Sequence, residues 1–203
     1  MSALAWVVGI TIFLVTVTVH ELCHGLLADR LGDSTARDAG RLTLNPLKHV
    51  DPFWTVLFPL ILFFSTQGRF AMGMAKPVPV NFMNLRHPKR DMIWVAAAGP
   101  AANFAFAGLL SLIFHRFPAS LLLYTIYFNL GLGVFNLFPV PPLDGSRILT
   151  GLLPTPLAVR YLMLEPFGFF IVLVLYFTGV LHAFLIPGVS LFCKILHVPV
   201  LSL

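Results

Sequence analysis

Charge is what this sequence has least of. Asp, Glu, Lys and Arg make up 10% of its 203 residues, against about 25% in an ordinary soluble domain. Too few polar side chains remain to cover a water-facing surface. That excludes a soluble globular enzyme, a disordered chain and a coiled coil. Cysteine is nearly absent: Cys23 and Cys193 cannot build a disulfide framework or a cysteine-based zinc site. No internal repeat or low-complexity segment is visible. What fills the chain is apolar, 58% of residues with a mean hydropathy of +0.91. The class that remains is an integral membrane protein with several spans. The net charge of +5 is no nucleic-acid footprint, and no nucleic-acid partner is expected. The basic residues lie in loops between apolar runs, where they read as topology signals.

Eight charges fall in residues 29–51 and six in residues 69–91. Elsewhere there are only Glu21, Arg116, Asp144, Arg147, Arg160, Glu165 and Lys194. The uncharged stretches between these clusters read as lipid-facing helices joined by wet loops. Residues 4–27 read as one helix. Its start lacks the basic region and small-residue cleavage pattern of a signal peptide. Residues 92–114 and 120–138 are long enough to cross, and 167–182 is a further span. The tail, 183–203, is broken by Pro187 and Lys194 and fits either a last span or an interfacial helix. Residues 52–66 are different. A helix of 15 residues is about 22 Å long, short of the roughly 30 Å hydrocarbon core, and Pro59 interrupts it.

The first helix ends in His20-Glu21-Leu22-Cys23-His24, an HExxH pattern. A spacing of four on a helix puts both imidazoles on one face, one turn apart. Both can then reach one zinc ion at about 2.0–2.1 Å. Glu21 flanks that face, where a carboxylate can hold a water against the metal. The competing reading is a pair of buried histidines satisfied by helix neighbours. An ionisable group inside a membrane costs about 2.5–3.5 kcal/mol at mid-helix. Three polar groups in five residues therefore need a strong compensating partner, and zinc supplies one.

A catalytic zinc usually takes three protein ligands. His49, His87, His115, His182 and His197 are scattered singly, and Asp144 and Glu165 are the acids left in apolar context. Asp144 stands out. It follows a proline-rich run, Phe138-Pro139-Val140-Pro141-Pro142-Leu143, and precedes Gly145, so it sits on broken backbone at the end of a span. Such backbone is tolerated at membrane depth only where it faces protein or water. Capping of a following helix is the alternative role, and the two are compatible. His20, His24 and Asp144 share one depth only if 52–66 does not cross. The positive-inside rule agrees: Arg30, Arg37, Arg41, Lys48, Arg69, Lys76, Arg86, Lys89 and Arg90 then all lie on one side. The expected fold is an all-α polytopic membrane bundle, one domain over 1–203. Residues 52–66 form a short re-entrant or hairpin segment near the candidate active site.

HELCHG, NPLKHVDP (residues 45–52), AKPVPVN (75–81), AGPAANF (98–104) and FNLFPVPPLDG (135–145) together resemble the site-2 protease family of intramembrane zinc metalloproteases. The likeness runs from about Thr18 to Arg147, and 160–168 also fits. It implies one zinc per chain held by His20, His24 and Asp144, with Glu21 as catalytic base acting on a zinc-activated water. It also implies a transmembrane protein substrate cut in or near its span. Asn103 and Asn136 match family asparagines near the active site, as substrate or oxyanion contacts; an interhelical hydrogen bond is the plainer role for each. The strip 76–80 is a candidate edge for pairing with an unwound substrate, or a plain connector. No PDZ or CBS domain is seen, so a compact member is expected. Its expected place is the plasma membrane, with the active site toward the cytoplasm. Two rivals stand beside this reading. A non-catalytic zinc-binding membrane protein or transporter has no need of Glu21. A di-iron oxygenase needs clustered histidines.

The shared-depth topology predicts a labelling pattern. Single cysteines near Arg37 and near Arg86, in a background lacking Cys23 and Cys193, should both escape an impermeant reagent in intact cells. Labelling at Arg86 alone overturns the topology.

Overall fold

In lipid, backbone N–H and C=O groups have no water to pair with, so an apolar chain must satisfy them within helices. The computed structural model describes residues 3–67, 73 and 75–200, and no strand occurs among them. Arg69 and the last three residues of the tail lie outside the described residues.

Helix α1 spans Ala3–Arg30. It stops where Gly32 adopts φ +115° and the Asp33 N–H closes onto Ala28 O at 2.9 Å, a left-handed cap that glycine permits. A short α2, Thr35–Asp38, and a 3-10 turn, Pro46–His49, follow. A π-helical turn, Pro52–Leu57, then leads into α3, Phe58–Ser65. Residues 75–81 are extended and lead through a 3-10 turn, Phe82–Asn84, to α4, Pro88–Arg116. Pro88 sits in the first turn, where its missing N–H costs nothing. The Asp91 carboxylate reaches back to accept from the His87 N–H at 2.9 Å, satisfying a free donor at the helix start. The rest is α5, Ser120–Asn136; α6, Asp144–Leu152; α7, Thr155–Leu162; a 3-10 turn, Glu165–Phe167; α8, Gly168–Phe177; and α9, Val180–Ile195.

Helix α4 is the hub, packed against α1, α5 and α6, while α9 covers α5 and α8. Ala107, Ile126, Leu130 and Cys193 are fully buried between α4, α5 and α9, where Phe104 and Phe192 stack at 4.1 Å. Ala28, Leu85, Met92 and Val95 join the end of α1 to the start of α4. Leu112, Leu121, Tyr124, Phe170 and Val174 are exposed, a surface suited to lipid and not to water.

Three helical stretches are long and apolar enough to cross a membrane: Val7–Arg30, Pro88–Arg116 and Thr155–Phe177. They make this a multi-pass membrane protein. The first overlaps the span expected at 4–27 from residue 7 onward, and the second contains 92–114. The third differs from the sequence expectation. Residues 167–182 are not one helix, because α8 ends at Thr178 and Gly179 turns the chain with φ +79°. The apolar stretch instead begins earlier, with α7. Helix α5 ends at Asn136, two residues short of the expected boundary, because the chain turns at Leu137 and Phe138 ahead of the prolines. Its 17 residues reach about 26 Å.

The loops on the HExxH side are held by one carboxylate. Asp33 is fully buried. It accepts from the Thr35 hydroxyl, the Thr35 N–H, Asn84 Nδ2 at 3.0 Å and the Asn81 N–H at 2.7 Å. This staples the end of α1 to the strip and turn that precede α4. Burial pushes the carboxyl up, but the bonds from Thr35, Asn84 and Asn81 outweigh it and hold it below the usual carboxylate range. Asp33→Ala is expected to cost about 1–3 kcal/mol of stability, since it strands buried donors. The depressed pKa stabilises the fold above the unfolded value of about 3.9, and that contribution is lost as pH falls through the lower folded value. Thermal unfolding in detergent checks both. Wild type should lose more stability than Asp33→Asn on acidification below about pH 4.

Candidate metal centre

One turn of α1 separates His20 from His24, and their rings meet edge to face at 4.7 Å. Helix α4 lies directly against both. A Cβ at Gly99 would stand 2.3 Å from His24 Nε2 and 2.6 Å from His20 Nε2, so only glycine lets the two helices close here. The third residue comes from far along the chain. After α5, residues 137–143 fold back so tightly that a Cβ at Gly145 would stand 2.2 Å from Leu137 O. This turn delivers Asp144 as the first residue of α6, where the helix N-terminus favours a carboxylate.

The three side chains converge. His20 Nε2 and His24 Nε2 are 3.0 Å apart, and Asp144 Oδ2 is 3.1 Å and 3.3 Å from them. The other ring nitrogens fix the tautomers. His20 Nδ1–H donates to Asn103 Oδ1 at 2.5 Å, and His24 Nδ1–H donates to Val95 O at 2.6 Å. Both partners are acceptors, so both Nδ1 atoms carry a proton, and in the neutral rings both Nε2 atoms present lone pairs. Asp144 Oδ2 is buried with no hydrogen-bond donor. With the rings neutral, three acceptors face one point, an arrangement that a shared cation stabilises. Tetrahedral zinc with ligands at about 2.0–2.1 Å sets them about 3.3 Å apart, close to the observed triangle. The donor set fits zinc, and Asn103 and Val95 O supply the outer contacts that orient metal-binding histidines.

Glu21 is not one of the three converging residues. It is half-buried, and its Oε2 accepts from the Val78 N–H at 2.8 Å. The strip carrying Val78 is pinned within the chain. The Lys76 N–H donates to His49 O at 2.9 Å, and Arg41 Nη2 donates to Lys76 O at 2.9 Å and to Pro77 O at 3.3 Å. Pro77 and Pro79 have no N–H. Its edge toward Glu21 is therefore engaged, and the other lacks donors at both prolines. His20, Glu21, Trp54, Lys76, Asn136 and Phe169 are among the residues lining a cavity of about 530 Å³ beside the triangle.

The remaining candidate residues separate clearly. Asn136 faces the cavity and its Nδ2 donates to Leu132 O at 3.0 Å. Asn103 is fully buried, bonded to His20 and to Asn129. Glu165 pairs with Arg147, away from the triangle. His49 donates to Thr43 O and His115 to Leu196 O, while His182 packs on Tyr176. Among the described residues His20, His24 and Asp144 form the one cluster able to hold a metal, so no second group of histidines exists there for a di-iron centre. Gly99, Val95 O and the Val78 N–H were invisible to motif reading. The only sequence signal for Gly99 was its place in the AGPAANF segment.

Fold and site together define a polytopic membrane protein built around a two-histidine, one-carboxylate centre. A model of peptidase family M50 matches residues 115–179. "Putative zinc metalloprotease YwhC" of Bacillus subtilis is 38% identical over 179 residues, covering 81% of this chain and 78% of that protein. "Putative zinc metalloprotease Rip2" of Mycolicibacterium smegmatis is 31% identical over 203 residues, covering 89% and 76%. "Zinc metalloprotease MJ0392" of Methanocaldococcus jannaschii is 32% identical over 120 residues, half of this chain and 35% of that protein. No solved structure matches. The chain belongs to peptidase family M50, the site-2 protease family of zinc metalloproteases.

If the triangle holds zinc, closing the helices is as necessary as the ligands. Gly99→Ala should lower zinc occupancy nearly as much as Asp144→Ala, whereas Glu165→Ala should leave it unchanged. Metal analysis of the purified variants decides.

Proposed function

We propose that this chain is an intramembrane protease that hydrolyses a peptide bond in or near a transmembrane segment of a membrane-protein substrate. The observation that carries the reading is the buried triangle of bare acceptors at the end of an apolar helix, with Glu21 beside it. His20, His24 and Asp144 hold one zinc. When bound, zinc supplies Lewis acidity, lowering the pKa of water and drawing charge from the scissile carbonyl. Glu21 accepts a proton from the attacking water and delivers it to the leaving amine. The Val78 N–H holds Oε2, leaving Oε1 to face the reacting water. Asn103, buried behind the His20 ring, orients that ring and does not touch substrate. Asn136, on the cavity wall, is placed to meet the substrate backbone.

The single domain covers residues 1–203. Residues 52–66 do not cross the membrane but pack beside the site. The helical part, Pro52–Ser65, measures about 21 Å, and Asp51 and Trp54 line the cavity with His20 and Glu21. The site lies toward the cytoplasmic face of the plasma membrane, a reading that the basic loops support.

Glu21 is not among the three converging ligands, which separates chemistry from metal binding. Glu21→Gln should lower cleavage of co-reconstituted single-span proteins by about 10²–10⁴-fold while zinc content stays at the wild-type level. Retained cleavage by the purified variant overturns the base assignment. Loss of zinc overturns the separation of roles.

A further inference from the structure

Behind the His20 ring, a line of polar side chains runs through the bundle. Asn103 on α4, Asn129 on α5 and Thr16 on α1 are each fully buried. Asn103 Nδ2 donates to Asn129 Oδ1 at 3.1 Å. Asn129 Nδ2 donates to Thr16 Oγ1 at 3.1 Å and to Thr125 O at 2.8 Å. Thr16 lies one turn before His20 on the same helix, so the line starts and ends on α1.

The direction of this line is forced. Thr125 O is a backbone carbonyl and can only accept. Asn129 must therefore turn its NH₂ group toward it, which leaves Oδ1 facing Asn103. Asn103 must in turn present its NH₂ to Asn129 and its Oδ1 to His20. An oxygen there requires a proton on His20 Nδ1 and, in the neutral ring, leaves Nε2 bare. We infer that Asn129 is a positioning residue for the metal site: through Asn103 it fixes the His20 Nδ1 proton and so the Nε2 lone pair. The inference rests on the zinc reading of the triangle.

The line has work to do because the metal-free triangle resists this arrangement. His20 Nε2 lies 3.0 Å from His24 Nε2 and 3.1 Å from Asp144 Oδ2. Moving the proton to Nε2 would let His20 donate to either acceptor. Such a ring must shed that proton before it can bind a metal. In water the Asn103 amide would flip to follow the ring. Here Asn129 withholds the flip, because a reversed Asn103 would set oxygen against oxygen across the 3.1 Å contact. Nothing in the one-dimensional pattern marks Asn129, which sits seven residues before Asn136 in an apolar helix.

Two measurements on full-length protein in detergent test this. The first is zinc affinity by competition with a chelator. Asn129→Leu, similar in size, should weaken it about 10–100-fold, as loss of an outer contact does. The second is nitrogen-detected NMR of the histidine rings without zinc. Wild type should show His20 Nδ1 fully protonated, and Asn129→Leu a population with bare Nδ1. Adding Asn103→Asp to Asn129→Leu should restore both readouts, because a carboxylate accepts whichever way it turns. A merely structural role would predict lower thermal stability with neither readout changed nor rescued. A bare Nδ1 in wild type, unchanged zinc affinity in Asn129→Leu, or no recovery in the double variant overturns the inference. The wild-type spectrum remains a test even if Asn129→Leu does not fold. Loss of zinc binding in Asp144→Ala, measured alongside, reports on the metal reading separately: intact binding there would sink that reading and leave the Nδ1 result standing by itself.

Discussion

Three acceptor atoms crowd within 3.3 Å of one another in the interior of an apolar bundle, and the rest of the molecule is arranged around that crowding. Left to themselves they repel, and burial denies them water. They are kept in place by covalent and hydrogen-bonded constraints from three directions. Four-residue spacing on α1 fixes the two rings. The turn at Gly145 fixes the carboxylate. Helix α4 supplies the partners that hold the ring protons on the far side. Such a site is a candidate receptor for a divalent cation, with the cost of bringing a carboxylate and two lone pairs together met by folding.

The central place of α4 follows from this. Its Gly99 brings the backbone against both imidazoles, its Val95 carbonyl accepts from His24, and its Asn103 accepts from His20. Pro100 lies beside Gly99 and cannot donate to the Ala96 carbonyl four residues earlier. One stretch of nine residues thus sets the distance, the tautomers and the ring angles. A helix that only filled space against α1 would have no need of a glycine, a proline and an amide so close together in an apolar run.

Water-facing structure is organised by a second set of polar contacts. Asp33 gathers the end of α1 and the turn before α4, Arg41 clamps the carbonyls of Lys76 and Pro77, and Glu21 takes the Val78 N–H. These tie the extended strip to the catalytic helix at several points. The strip is thereby a wall of the cavity and a support for Glu21. Its two prolines leave its free edge poor in donors, which restricts any pairing with an unwound substrate to the acceptors it still offers.

The membrane class, the HExxH helix and Asp144 as candidate third ligand were legible in the chain itself. Composition alone excludes a water-facing surface. The spacing of His20 and His24 acts within one helical turn, and Asp144 is marked by the prolines and glycine that flank it. Those signals are local, and local geometry follows from local sequence. Within 167–182 the helix ends at Phe177 and Gly179 turns the chain, a break that hydropathy does not mark. The outer partners of the site were hidden for a different reason. Asn103 lies 83 positions from His20, Val78 lies 57 from Glu21, and Asn129 lies 113 from Thr16. Which amide meets which ring depends on how α1, α4 and α5 cross, and that is decided by packing over the whole bundle. The sequence by itself marked His20, His24 and Asp144 as candidate metal ligands; only the tertiary structure decided which atoms turn them toward one point, because a lone pair is aimed by neighbours that come together only when the helices pack.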